Sequence, residues 1–109
     1  MVIVQVKEKS GFIDQIVISG HAGSGPAGYD LVCAGVSATS FGSVNAVYRL
    51  TDVKLNIEQR EDGGYLKISF PKNVEHETME KAQLLLQGMI VSLQTIEDQY
   101  GKYIQVKYT

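Results

Sequence analysis

At 109 residues, with 44% hydrophobic and 20% charged side chains, the chain is long enough to bury one core unaided and reads as one domain over residues 1–109. A formal net charge of −2 argues against direct nucleic-acid binding, which usually needs a basic face. One cysteine excludes an intrachain disulfide and fits a reducing compartment.

The opening, Met1 to Glu8, turns polar before a signal-peptide core forms, and no apolar run approaches the roughly 20 residues that span a bilayer. The expectation is a cytoplasmic protein without membrane contact. Val2, Val4 and Val6 alternate with Ile3, Gln5 and Lys7, the period of a strand. Ser10-Gly11 turns the chain, and Phe12 to Ser19 returns as a second strand. Five glycines then fall between positions 20 and 35, four of them before Asp30. Asp30 is suited to cap a helix, since its carboxylate accepts backbone N–H groups of the next turn. Cys33, Val36, Ser40, Val44 and Val47 give that helix one buried stripe, ending near Leu50.

Val53 to Gln59 reads as a third strand, Glu61-Asp62-Gly63-Gly64 as a turn, and Tyr65 to Phe70 as a fourth strand ended by Pro71. Asn73 is a reasonable cap for a long second helix, with Glu75 and Glu77 at its positive end. Met79, Ala82, Leu85, Leu86, Met89, Ile90, Leu93 and Ile96 form its apolar face. Gly101 closes it, and Tyr103 to Tyr108 is the last strand. The order ββαββαβ predicts an α+β fold, a mainly antiparallel five-stranded sheet packed with two helices.

The chemistry concentrates where a strand ends at His21, a glycine-rich loop follows, and Cys33 enters the first helical turn. Unpaired N–H groups and the helix dipole favour a thiolate there, and a thiolate facing an imidazole is the minimum apparatus for attack on a carbonyl. Plainer readings stand beside this one. Free cysteine is among the most buried residue types and Cys33 lies on the apolar stripe, so an inert packing role fits too. The loop is also readable as a long turn, and a histidine after a strand as a surface residue. Ser37, one turn beyond Cys33, is placed to hydrogen-bond near the site or back to the carbonyl of residue 33. His76 sits among Glu75 and Glu77 as a solvated residue. One cysteine and two distant histidines lack metal-ligand spacing, so no metal is expected.

The stretch Gly20-His21-Ala22, followed by Gly28-Tyr29-Asp30-Leu31-Val32-Cys33-Ala34-Gly35-Val36-Ser37, resembles the ribosomal-processing cysteine protease family, also called Prp. The resemblance covers nearly the whole chain: its length, the opening hairpin, the GHA and D-x-V-C-A motifs, the long second helix and the short closing strand. It implies a small bacterial homodimeric cysteine endopeptidase that removes the N-terminal extension of large-subunit ribosomal protein twenty-seven, cutting after an aromatic-rich stretch. Carried over, the catalytic histidine matches His21, the nucleophile Cys33, the acidic position Asp30 and the following serine Ser37.

On this reading Cys33 attacks the scissile carbonyl and His21 moves the proton. The N–H groups at the helix start, with glycine amides from residues 23 to 28, stabilise the oxyanion. Asp30 caps the helix and fixes Cys33, with orientation of His21 as its alternative role. Gly23, Gly25 and Gly28 belong to a loop that closes over substrate. Tyr29, Val36 and Tyr48 are candidates to line an aromatic subsite. The partner is a peptide; no cofactor is called for. The competing functions are a non-catalytic ribosome-associated binding module and a lone-thiol redox sensor.

Overall fold

The computed structural model describes residues 1–23, 30–61 and 63–109. The elements are β1 (Val2–Lys9), β2 (Phe12–Ser19), α1 (Leu31–Thr51), β3 (Asn56–Gln59), β4 (Tyr65–Ser69), α2 (His76–Tyr100) and β5 (Ile104–Tyr108). The five strands form one sheet in the order β3-β4-β2-β1-β5. β1 with β2, β2 with β4 and β3 with β4 are antiparallel, whereas β5 runs parallel to β1. The fold is thus the expected α+β arrangement, with a mixed sheet because α2 carries the chain back before β5 begins.

Alternation in the strands puts their buried residues on one face. Val4 sits opposite Ile18 and Val6 opposite Ile16, Ile16 and Ile18 in turn face Ile68 and Leu66, and Val2 faces Ile104. All of these are buried, and the two helices pack over them while also packing on each other. Cross-strand contacts between branched side chains are the unit that stabilises such a face. Val32, Val36, Ser40 and Val47 carry the inner side of α1; Ala82, Leu86, Met89, Ile90 and Leu93 carry that of α2.

Polar groups finish the frame. The register of β1 against β2 shifts between Lys7 and Glu8. Beside that irregularity the buried Gln83 amide of α2 receives the Ile13 N–H and donates to the Ile13 carbonyl, both at 2.8 Å. One side chain therefore satisfies both backbone groups of a residue beyond the end of the β2–β4 ladder. Glu97 does similar work for β5, its carboxylate accepting the Val106 N–H at 2.7 Å.

Several boundaries differ from the sequence expectation. β3 begins at Asn56 rather than Val53, because its partner β4 ends at Ser69, opposite Asn56; Val53 and Leu55 are still buried, as loop residues. α2 begins at His76 after Glu75, and Asn73 is not its cap: it has φ 65° and turns the chain after Pro71. Gly101 keeps right-handed helical geometry, φ −58°, so no left-handed cap ends α2 there. α1 ends instead on a left-handed Asp52, φ 61°, whose N–H donates to the Tyr48 carbonyl. Contrary to the expectation from apolar runs, α1 is by length and composition apolar enough to cross a membrane. Here its inner residues Val32, Val36 and Val47 belong to the hydrophobic core, and the helix packs on α2.

Candidate active site

Three segments converge at one end of the sheet: the end of β2, the start of α1 and the β3–β4 turn. Gly20, with φ 89°, closes tightly against the start of β1, where a side chain would run into the Met1 carbonyl. Its N–H donates to the Gly64 carbonyl at 2.8 Å, and the Met1 amino group donates to the His21 carbonyl at 2.6 Å. His21 is thereby held on both sides, with its ring against the turn at Gly63 and Gly64.

Asp30 is the N-cap of α1, in extended geometry, and its Oδ1 accepts the Cys33 backbone N–H at 3.0 Å. Cys33 is half-buried, and its Sγ accepts the Ala22 N–H at 3.3 Å. Because Ala22 is buried in the core and next to His21, this bond ties the thiol to the segment that carries the imidazole. Cys33 and His21 line one cleft of about 250 Å³ with Ser37, Gly20, Gly63 and Gly64.

Two expectations are corrected. The helix start does not leave Cys33 with a lowered pKa. Burial pushes the thiol up from its ordinary value of 9.0, the Ala22 N–H pulls the other way, and Asp30 adds to the rise by hydrogen bond and by charge. Two N–H groups at the start of α1 are also already engaged: that of Cys33 is on the Asp30 side chain, and that of Ala34 donates to the Asp30 carbonyl at 3.0 Å, so neither is free for an oxyanion.

The cleft walls are apolar and aromatic. Val36, as expected, lines it, and so do Phe41, Tyr65 and Leu66; Tyr48 does not, standing exposed farther along α1. Arg60 joins the wall with its guanidinium carbon 4.7 Å from the centre of the Tyr65 ring, a cation–π contact. Ser40 lines the cleft with its hydroxyl buried and without a hydrogen-bond partner among the described residues. The contribution of the β3–β4 hairpin goes beyond the sequence expectation, in which Gly63-Gly64 is only a turn. Two adjacent glycines, both with φ 75°, were the available signal. Gly23 is described and exposed, whereas Gly25, Gly28 and Tyr29 lie outside the described residues. His76 is on the surface, its Nε2 2.7 Å from Glu80.

Comparison with known proteins gives the same direction throughout. The sequence profile of the family described as cysteine protease Prp matches residues 1–105. The ribosomal processing cysteine protease Prp of Bacillus subtilis is 48% identical over 89 residues, covering 82% of this chain and 80% of that protein. Its Staphylococcus aureus counterpart is 43% identical over 98 residues, covering 90% of this chain and 89% of the relative. Two crystal structures of the S. aureus protease superpose over the whole of both chains. One holds a covalently linked product peptide, with TM-score 0.89 and 40% identity. The other holds a substrate peptide, with TM-score 0.84 and 38% identity. With its fold and its length both matched, this chain belongs to the cysteine protease Prp family.

Proposed function

We propose that this chain is the endopeptidase that removes the N-terminal extension of large-subunit ribosomal protein twenty-seven, with Cys33 as nucleophile and His21 as base. The observation that carries the reading is the shared cleft: Cys33 and His21 line the same space, with the Ala22 N–H on Cys33 Sγ bridging the two segments. Its apolar and aromatic walls suit a substrate with aromatic residues before the cut.

The steps follow from the resting thiol being neutral. As the carbonyl arrives, the Cys33 S–H proton passes to His21 while sulfur bonds to the carbonyl carbon. Desolvation by the substrate works against a separated thiolate, so proton transfer and attack occur together. The Ala22 N–H, released from Sγ as the sulfur's electron pair enters the new bond, lies beside the carbonyl oxygen as charge develops and is the proposed oxyanion donor. His21 then gives its proton to the leaving amine as the C–N bond breaks, leaving a thioester. Water then attacks the thioester carbon and gives one proton to His21; the C–S bond breaks, His21 passes that proton to the departing sulfur, and the acid formed leaves as a carboxylate, its remaining proton going to solvent. Asp30 fixes the Cys33 backbone and Ser37 lines the cleft.

The reading carries with it a cytoplasmic homodimer, as expected of the family. Exposed apolar side chains on the helices, Leu31, Tyr48 and Leu50 on α1 and Leu84 and Val91 on α2, are surface a partner copy can cover. The test of substrate identity uses the precursor ribosomal protein, its mature form and an unrelated aromatic-rich peptide, with products identified by mass. One cut in the precursor, leaving the mature form intact, supports the proposal. Equal cutting of the unrelated peptide contradicts the assigned substrate, and binding without cutting by folded, reduced enzyme returns the weight to the binding module.

A further inference from the structure

We infer that Gly64 is a positioning residue for catalysis: the bare backbone at this point of the β3–β4 turn lets the His21 imidazole stand in the cleft that Cys33 lines. The inference rests on the reading of His21 as the base.

Gly63 and Gly64 share the same backbone strain, each with φ 75°, so a side chain at either position is conformationally disfavoured. What differs is the space in front of them. A methyl group built on Gly64 stands 2.7 Å from His21 Nε2, 3.2 Å from Cε1 and 3.3 Å from Cδ2. One built on Gly63 meets only Cε1, at 3.8 Å, an ordinary contact. The atoms encroached upon are the tip of a side chain with rotatable bonds, so the ring yields before the turn does. The turn itself has little room to retreat, because the Gly64 carbonyl accepts the Gly20 N–H at 2.8 Å, one residue before His21. A methyl at position 64 therefore displaces the imidazole from the cleft wall and leaves the fold in place. Misplacing a catalytic group by about 1 Å costs on the order of 100-fold in rate.

Gly63→Ala is the matched control, with the same φ penalty and no encroachment on the ring. Because Gly64 also lines the cleft, a methyl that merely obstructed substrate would raise KM, whereas a displaced base lowers kcat. The experiment measures kcat and KM of wild type, Gly63→Ala and Gly64→Ala on one peptide. It also records their thermal unfolding and the proton–carbon resonances of the His21 ring. Both variants are expected to melt lower by comparable amounts. Gly64→Ala loses kcat by about 100-fold with KM within threefold, and its His21 resonances move; Gly63→Ala, whose methyl also borders the cleft, loses at least about tenfold less kcat and leaves the His21 resonances in place. Equal kcat loss in the two variants, or unmoved His21 resonances in Gly64→Ala, overturns the inference. If Gly64→Ala does not fold, the wild type decides: a nuclear Overhauser contact between the Gly64 α-protons and the His21 ring supports the inference, and its absence overturns it. A wild type that cuts nothing defeats the protease reading separately, since that contact is observed without turnover.

Discussion

The Asp30 carboxylate accepts the Cys33 backbone N–H at 3.0 Å, so the cap of α1 and the candidate nucleophile are coupled within one turn. That coupling has two opposed effects. It fixes the backbone beneath the sulfur, and it sets a negative charge near a thiol that burial already pushes up. Precision of placement is gained at the expense of thiolate population in the free enzyme.

The pH dependence of alkylation follows. In the free enzyme, iodoacetamide reacts with Cys33 with a midpoint above 9.0, and Asp30→Asn, which keeps a capping oxygen and removes the charge, lowers that midpoint. The linked stability has a definite sign. A thiol whose folded pKa is raised contributes stability fully present below its unfolded pKa and lost as pH rises through the folded value. Unfolding free energy is therefore expected to fall above pH 9, with that slope missing in Cys33→Ala. A midpoint below 8 contradicts the burial argument.

Gln83 is the polar keystone of the core. Gln83→Leu leaves the Ile13 N–H and carbonyl, which now bond to the amide at 2.8 Å, buried and unpaired. Each such group costs about 1–3 kcal/mol, so a loss of about 2–6 kcal/mol is expected in urea unfolding, with the slope of the transition unchanged. A loss under 0.5 kcal/mol would show that β2 relaxes to satisfy itself.

Phe41 and Tyr65 replace Tyr48 as the aromatic wall. Phe41→Ala is expected to raise KM for a peptide with aromatic residues before the cut by about 10-fold, kcat changing less, and Tyr48→Ala to leave both within twofold; the removed apolar contact is worth about 1.5–3 kcal/mol when fully formed. Ser40→Ala, on the same wall, removes a buried hydroxyl that has no hydrogen-bond partner among the described residues and should not lower stability. Steady-state kinetics with one peptide series checks positions 41 and 48, and thermal unfolding checks position 40; equal effects at positions 41 and 48 contradict the assignment.

Elements whose signals are local were legible in the sequence. Alternating Val2, Val4 and Val6, the Ser10-Gly11 turn and the Asp30 cap each follow from a few neighbouring residues. The candidate site was legible as a motif, since His21 and Cys33 are twelve residues apart within one glycine-rich stretch. What the sequence hid depends on distant pairing. The start of β3 is set by where β4 stops, and the role of Gly64 depends on a contact with His21 forty-three positions away. Gln83 looks like a surface residue until Ile13 is folded against it. The direction of the thiol's shift is hidden as well, because a helix start is visible in sequence and burial is not.

The most direct test of the central claim compares wild type, Cys33→Ala and His21→Ala on one peptide copying the ribosomal extension, with products identified by mass and the double variant included. The account predicts a single cut by wild type and loss of at least about 1,000-fold in each single variant. The double variant should fall no further than the worse single one, because the pair acts as a unit. Cutting at the same bond that survives Cys33→Ala would contradict it.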